Sequence, residues 1–163
     1  MDQLFAPLGL DWQPVSPRLA TRLRIEWSVL VLALGAALAV VALVLSAPAW
    51  VLCLLLVLTV AGLLFGLWLA GRRTRAWGYA ERAEDLYIRH GVMVRQLVAV
   101  PYGRMQFVDV TAGPLERALN LAEVQLHTAT PGTRARIPGL DPDEAARLRD
   151  RLTALGQAQA SGL

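Results

Sequence analysis

The stretch "VPYGRMQFVDVTAGPLERALNLAEVQLHTAT", residues 100–130, decides the fold class of the part of the chain that is not strongly apolar. Within it, "MQFVDV" and "AEVQLHT" alternate apolar and polar residues, which is the period of a β-strand with one solvated face. The connector "AGPLERALNL" interrupts the alternation and places Leu115, Leu119 and Leu121 at the spacing of a short helical turn that can plug a barrel. The stretch therefore predicts an antiparallel sheet.

Further short strands flank this stretch. "DLYIRH" alternates on the N-terminal side, and "GVMVRQLVAV" follows it across a tight hairpin predicted at His90 and Gly91. "YGR" forms a turn after Pro101, and "RARI" closes the series of strands.

The segment "DPDEAARLRDRL" predicts a helix after the strands. Asp141 is a candidate N-cap with Pro142 at the first helical position, and Glu144 completes a capping box. Four apolar residues recur at helical spacing and predict a face that covers the open end of the sheet: Ala145, Leu148, Leu152 and Leu155. We expect residues 157–163 to form a disordered tail.

The N-terminal half contains an uncharged apolar run from Trp27 to Gly71. One bilayer span takes about 20 apolar residues, so the run is long enough for two. Ser46 and Pro48 in "LSAPAW" separate a helix of residues 26–45 from one of residues 49–70. A buried hairpin in a soluble protein would need a larger domain around it than the remaining residues can build.

Arginines flank the two predicted spans, and the loop between them contains none. They are Arg18, Arg22 and Arg24 before the first span, and Arg72, Arg73 and Arg75 after the second. Because positive residues stay on the cytoplasmic side, we expect both termini to face the cytoplasm. All 16 basic residues are Arg, which is typical of a GC-rich bacterial genome. The predicted location is the bacterial plasma (inner) membrane, crossed twice, with Trp27, Trp50, Trp68 and Trp77 as interfacial anchors.

The motif order resembles the YdbS-like family of bacterial pleckstrin-homology (PH) domains. The resemblance rests on "LYIRHG", "VPYGRMQFV", "GPLER", "NLAEV" and "HTAT", with Asn120 where the family usually has Gly. It implies an α+β fold, a two-helix transmembrane hairpin followed by a PH-like β-sandwich or split barrel with a C-terminal helix. The expected organisation is a cytoplasmic N-terminal segment (1–25), a membrane hairpin (26–71), a cytoplasmic PH-like domain (72–156) and the tail.

The sequence does not predict an enzyme. It contains no glycine-rich phosphate loop or paired metal-ligand motif, and Cys53 lies within the apolar second span. His90 and His127 are interpreted as solvated surface residues. Asp109 is predicted to share a face with Met105 and Phe107 and to pair with an arginine such as Arg104. We therefore expect no catalytic, cofactor or metal site and no small-molecule substrate.

Two kinds of binding remain. The first is a scaffold role for a protein partner or a second copy, in envelope stress or maintenance, with Gly62 and Gly66 as a GxxxG-type association motif. The alternative is recognition of anionic lipid by a basic surface. Nucleic-acid binding is not expected, because the net charge is only +3. The candidate binding residues are Arg89, Arg95, Arg104 and Arg117.

Overall fold

The computed structural model describes residues 11–128 and 134–161. The chain divides into two compact units. One comprises residues 20–72, and the other combines the residues before them with those from Arg73 onward.

Two long helices form the apolar unit. Helix α1 spans Arg18–Val44 and helix α2 spans Ala49–Ala76, and both are long and apolar enough to cross a membrane. The break near Ser46 is confirmed, and this residue has a positive φ of 52°. Each helix extends into its arginine-rich flank beyond the predicted bounds, because the length of the apolar run limits the span and not the helix.

A tryptophan packs against the glycines of the second helix. The Trp27 indole N–H donates to the Gly62 carbonyl over 2.9 Å, and a Cβ atom at Gly66 would overlap the Trp27 ring. Gly35 similarly faces Thr59. The GxxxG-type spacing therefore seats a side chain of the same hairpin. Trp27, predicted as an interfacial anchor, packs between the two helices.

The second unit is built from seven strands and two further helices. The strands are β1 (Gln13–Pro14), β2 (Gly78–Glu81), β3 (Asp85–His90), β4 (Gln96–Pro101), β5 (Met105–Thr111), β6 (Ala122–Thr128) and β7 (Arg134–Leu140). Helix α3 spans Pro114–Ala118 between β5 and β6, and helix α4 spans Pro142–Ser161. Tyr102–Arg104 forms a short 3-10 turn between the sheets.

The strands form two antiparallel sheets, ordered β1-β2-β3-β4 and β5-β6-β7. This arrangement, with α4 packed against β5 and β6, confirms the predicted α+β PH-like sandwich. The predicted N-terminal segment is part of this domain, since Pro14 pairs with Gly78 and the Ser16 amide donates to the Gly139 carbonyl. The two long helices are thus inserted between the first and second strands.

Apolar side chains from both sheets and α4 form the core. The predicted helical stripe is buried at Ala145, Leu148 and Leu152, and half-buried at Leu155. Helix α4 continues to Ser161, so the prediction of a disordered tail from residue 157 is wrong at its start. Residues such as Gln157 and Ala158 favour helix once packing has fixed the preceding turns.

The β3–β4 connection is longer than predicted. His90 pairs with Gln96, so residues 91–95 form a five-residue loop instead of a tight turn at His90 and Gly91. Gly91 has a φ of 103°, and a Cβ atom there would overlap the Val94 carbonyl oxygen. This contact gives the loop a defined shape that only glycine permits.

Candidate functional site

A polar cluster joins α4 to β2. The Tyr79 hydroxyl donates to Glu144 Oε1 over 2.7 Å. Arg147 Nη2 donates over 2.6 Å to both Glu144 Oε1 and Glu81 Oε1. Arg151 Nε lies 3.0 Å from Glu81 Oε2, and the Glu81 side chain is only 7% exposed. The sequence predicted Glu144 as part of a capping box, but its carboxylate makes these tertiary contacts.

Within the cluster, the pKa values of Tyr79, Glu144 and Arg147 are shifted away from neutral pH. Burial, followed by the hydrogen bond to Glu144, raises the pKa of Tyr79. The hydrogen bond from Arg147 lowers the pKa of the Glu144 carboxyl, while hydrogen bonds to Glu144 and Glu81 raise the pKa of Arg147. The neutral Tyr79 phenol, the Glu144 carboxylate and the Arg147 guanidinium therefore join the helix to the sheet in a structural network.

Strand β5 is an exposed sheet edge. Among the described residues β6 is the strand that pairs with it, and Phe107 remains 51% exposed. The register shifts between Met105 and Phe107, which lie opposite Thr128 and His127. Thr128 and His127 are neighbours on β6 and therefore point to opposite faces of the sheet. The bulge thus places Met105 and Phe107 on opposite faces, so the prediction that they share a face is wrong.

A groove of about 200 Å³ runs between β5 and α4. The strand lines it with the four consecutive residues Met105–Val108, and the helix lines it with Leu152, Thr153, Gly156 and Gln157. Since consecutive strand residues alternate in direction, the groove follows the backbone edge of β5. Gly156 lines the groove without a side chain that would narrow it, although glycine in a helix interior costs about 1 kcal/mol relative to alanine.

The β3–β4 loop carries a second exposed surface. Met93 is 95% exposed and Val94 is 71% exposed. Residues 86–103 contain Arg89 and Arg95 and no acidic residue. The loop therefore combines an apolar tip with positive charge.

Aromatic contacts stand beside this loop. The His90 ring stacks on Trp77 with centroids 4.7 Å apart, and the Arg89 guanidinium lies 4.6 Å from the Trp12 ring centroid. Burial, followed by the positive charge of Arg136, lowers the pKa of His90. His90 is therefore a packed residue, contrary to the expectation of a solvated one.

The other predicted side chains also differ in their contacts. Asp109 is exposed and lies 3.5 Å from His127 Nε2, so the predicted pairing with Arg104 is wrong. The His127 ring stacks on Phe107 at 4.1 Å. The bulge after Met105 sets this register, and alternation along the sequence does not reveal it.

The four candidate arginines do not form one cluster. Arg89 and Arg95 lie at the loop end of the β3–β4 hairpin, whereas Arg104 follows the opposite end, where Asp85 pairs with Pro101. Six strand residues, or roughly 20 Å, separate the two ends. Arg117 lies on α3, between β5 and β6.

Sequence reasoning missed the features that define both surfaces. Gly156 and the exposed edge of β5 depend on how α4 packs against the second sheet. Met93 and Val94 were assigned to a strand, although Gly91 was a signal for a loop. In the two described segments, no group of three His, Cys, Asp or Glu side chains is placed to hold a metal ion.

Comparison with known proteins gives a consistent family assignment. A family model described as a bacterial PH domain matches residues 28–155. The UPF0699 transmembrane protein YdbS of Bacillus subtilis (strain 168) is 34% identical over 128 residues, covering 64% of this chain and 79% of the relative. No solved structure matches the chain.

Proposed function

Because the chain belongs to the bacterial PH domain family, we propose that it is a non-catalytic membrane-anchored module whose domain holds a partner protein at the bilayer surface. The observation that carries this proposal is the exposed β5 edge beside the α4 groove. An open edge strand offers unpaired backbone groups to another chain, and natural proteins protect such edges unless they use them. The partner binds as an added strand in this proposal.

The chemistry of the groove defines the partner segment. Backbone hydrogen bonds to β5 require an extended segment, and apolar side chains suit the surfaces of Met105 and Val108. Arg104 precedes β5, is exposed, and has no side-chain partner among the described residues. A carboxylate of the segment would complement this charge. We therefore propose an extended partner segment with an acidic residue near Arg104.

The domain faces the cytoplasm in this proposal. Arginines flank both long helices, and the connection between them carries no charge, which favours a cytoplasmic location for both flanks. Two apolar helices anchor the domain, so a bound partner is confined to the membrane surface. Confinement to the membrane surface raises the effective concentration of the partner near the domain without additional contacts.

Blocking the groove tests the proposal. Gly156→Phe adds an aromatic ring at a position that lines the groove, whereas Ala154→Phe puts the same ring on an exposed position of the same helix outside it. A photo-crosslinking residue at Thr153 in the full-length protein should capture a defined partner in native membranes. The Gly156→Phe change should abolish this capture and Ala154→Phe should retain it.

Peptide mapping of the captured product should place the crosslink in an extended, acidic segment of the partner. Equal capture by the two phenylalanine variants would overturn the groove assignment. Crosslinking to lipid alone would also overturn it. Arg104→Gln should weaken capture, while Arg117→Gln, an equivalent change on α3, should not.

A further inference from the structure

We propose that the β3–β4 loop, residues 91–95, docks on the headgroups of an anionic bilayer, with Met93 and Val94 entering the interface and Arg89, Arg95 and Arg136 facing lipid phosphate. This inference rests on the membrane anchoring in the proposed function and is independent of the β5 groove. The proposed lipid contact lies in one loop of the domain, residues 91–95.

Strand topology places the loop at the end of the domain that leads to the spans. In an antiparallel meander, alternate connections lie at the same end of the sheet. The β3–β4 loop therefore shares an end with the β1–β2 connection, which contains the two long helices. The chain passes from α2 to β2 through Trp77 alone, and the Trp77 ring stacks on His90 at the base of the loop.

The loop has the chemistry of an interfacial contact. The exposed side chains of Met93 and Val94 are apolar, and they lie in a loop whose backbone conformation requires Gly91. Adjacent exposed apolar side chains with basic neighbours are typical of segments that enter the headgroup region of anionic membranes. Trp77 and Trp12 lie near the same end of the sheet, where they pack against His90 and Arg89.

The surrounding charge is complementary to anionic lipid. Arg89 stacks on Trp12 and has no carboxylate partner among the described residues, and Arg136 is exposed and close enough to lower the pKa of His90. Arg95 adds a third guanidinium within the loop. A protein partner would not require positive charge and an apolar tip at the end attached to the spans, so anionic lipid is the occupant that these observations favour.

An environment-sensitive fluorophore at position 93 tests this inference. The full-length Cys53→Ser protein receives either Met93→Cys or Ala83→Cys. Ala83 is an exposed residue in the β2–β3 turn at the opposite end of the sheet. Labelled proteins are reconstituted in nanodiscs of phosphatidylglycerol with phosphatidylcholine, or of phosphatidylcholine alone.

We expect a blue-shifted emission at position 93 in the anionic nanodiscs, with quenching by nitroxide-labelled lipids. Position 83 should show neither effect. Replacing Arg89, Arg95 and Arg136 with Gln should abolish the shift, whereas Arg104→Gln and Arg117→Gln together should leave it unchanged. Added salt should reduce the shift because it screens exposed charges.

Three outcomes would overturn the inference. They are a water-exposed probe at position 93 in both lipids, an equal shift in uncharged lipid, and a shift without quenching by labelled lipid, which would indicate a protein contact. The groove variant Gly156→Phe should not change this signal. The result is therefore separable from a failure of partner capture.

Discussion

Single residues set the turns that hold the domain together. Asn120 has a φ of 55° between α3 and β6, so it adopts the left-handed conformation expected from the resemblance, which implied a glycine-type turn at this position. Asparagine tolerates this region better than other residues with a Cβ atom. The Glu116 side chain, which is buried, accepts a 2.6 Å hydrogen bond from the Gly113 amide and caps α3. Local backbone chemistry thus supports the closing turn that "GPLER" indicates.

The Arg147 network should contribute more to stability than a neighbouring surface ion pair. Arg147→Met removes the main partner of the buried Glu81 carboxylate, and we expect a loss of about 1–3 kcal/mol in the free energy of unfolding. Arg149→Met removes an exposed contact to Asp150 and should cost about 0–1 kcal/mol. Chemical denaturation of the full-length protein in detergent measures both. Equal losses would contradict the assigned role of the network.

Acid should weaken the same network. The folded-state pKa of Glu144 lies below its ordinary value of 4.5, so the unfolded chain binds the proton more readily. The stabilising contribution is present above pH 4.5 and is lost as the pH falls toward the folded-state pKa. The unfolding free energy of the native protein should therefore decrease more steeply than that of Arg147→Met between pH 5 and pH 3. These limits bracket the ordinary carboxyl pKa of 4.5. If the unfolding free energies of the two proteins decreased in parallel with pH, the proposed link between Glu144 protonation and stability would be excluded.

At the scale of elements, the two apolar helices pack through an uneven interface. Gly66 accommodates the Trp27 ring, whereas a Cβ atom at Gly62 would lie 3.6 Å from Val31 Cγ1, an ordinary contact. A motif that paired two copies through glycine contacts would require both positions to remain small. The hairpin instead requires a glycine at position 66 more strictly than at position 62.

Alanine substitutions should distinguish these two glycines. Gly66→Ala forces the Trp27 ring to move, and we expect it to destabilise the hairpin by about 1–3 kcal/mol, as overpacking does. Gly62→Ala should be tolerated. Thermal unfolding in detergent, with the 19F resonance of fluorotryptophan at Trp27 as a local probe, measures the effect. Equal tolerance at the two positions would show that the packing of the Trp27 ring does not depend on glycine at position 66.

At the scale of the whole molecule, the domain is discontinuous in sequence. Val15 and Leu19 precede the apolar run, yet both are buried with residues that follow it. A Cβ atom at Gly139 would lie 2.7 Å from Leu19 Cβ, and Gly139 has a φ of 72°. The domain is therefore built from segments on both sides of the two long helices.

Leu19→Ala should destabilise the domain although it lies outside the predicted domain boundary. Deleting a buried leucine side chain typically costs about 2–5 kcal/mol. Thr21→Ala, two residues later on an exposed position, should have little effect. Hydrogen exchange at β1, β2 and β7 in detergent reports the change at the affected strands. Unchanged protection of these strands in Leu19→Ala would contradict the discontinuous domain.

Hydrophobic periodicity predicted the apolar hairpin, most strands and the closing helix, because it reflects which face of each element is buried. It did not determine the bulge after Met105, the five-residue loop before Gln96 or the extent of α4. The bulge and the loop depend on register between strands, whereas the extent of α4 depends on the packing of its preceding turns. A one-residue shift in the pairing of two strands changes which side chains face the core.

The candidate sites depended even more on tertiary structure. Periodicity identified arginines but could not separate Arg95 from Arg104, which lie at opposite ends of one hairpin. The groove beside Gly156 exists only where α4 crosses the edge of β5. Local sequence therefore determined which segments are apolar, helical or extended, because those properties arise from neighbouring residues. Tertiary structure decided which exposed groups share a surface, because that requires contacts between residues far apart in the chain.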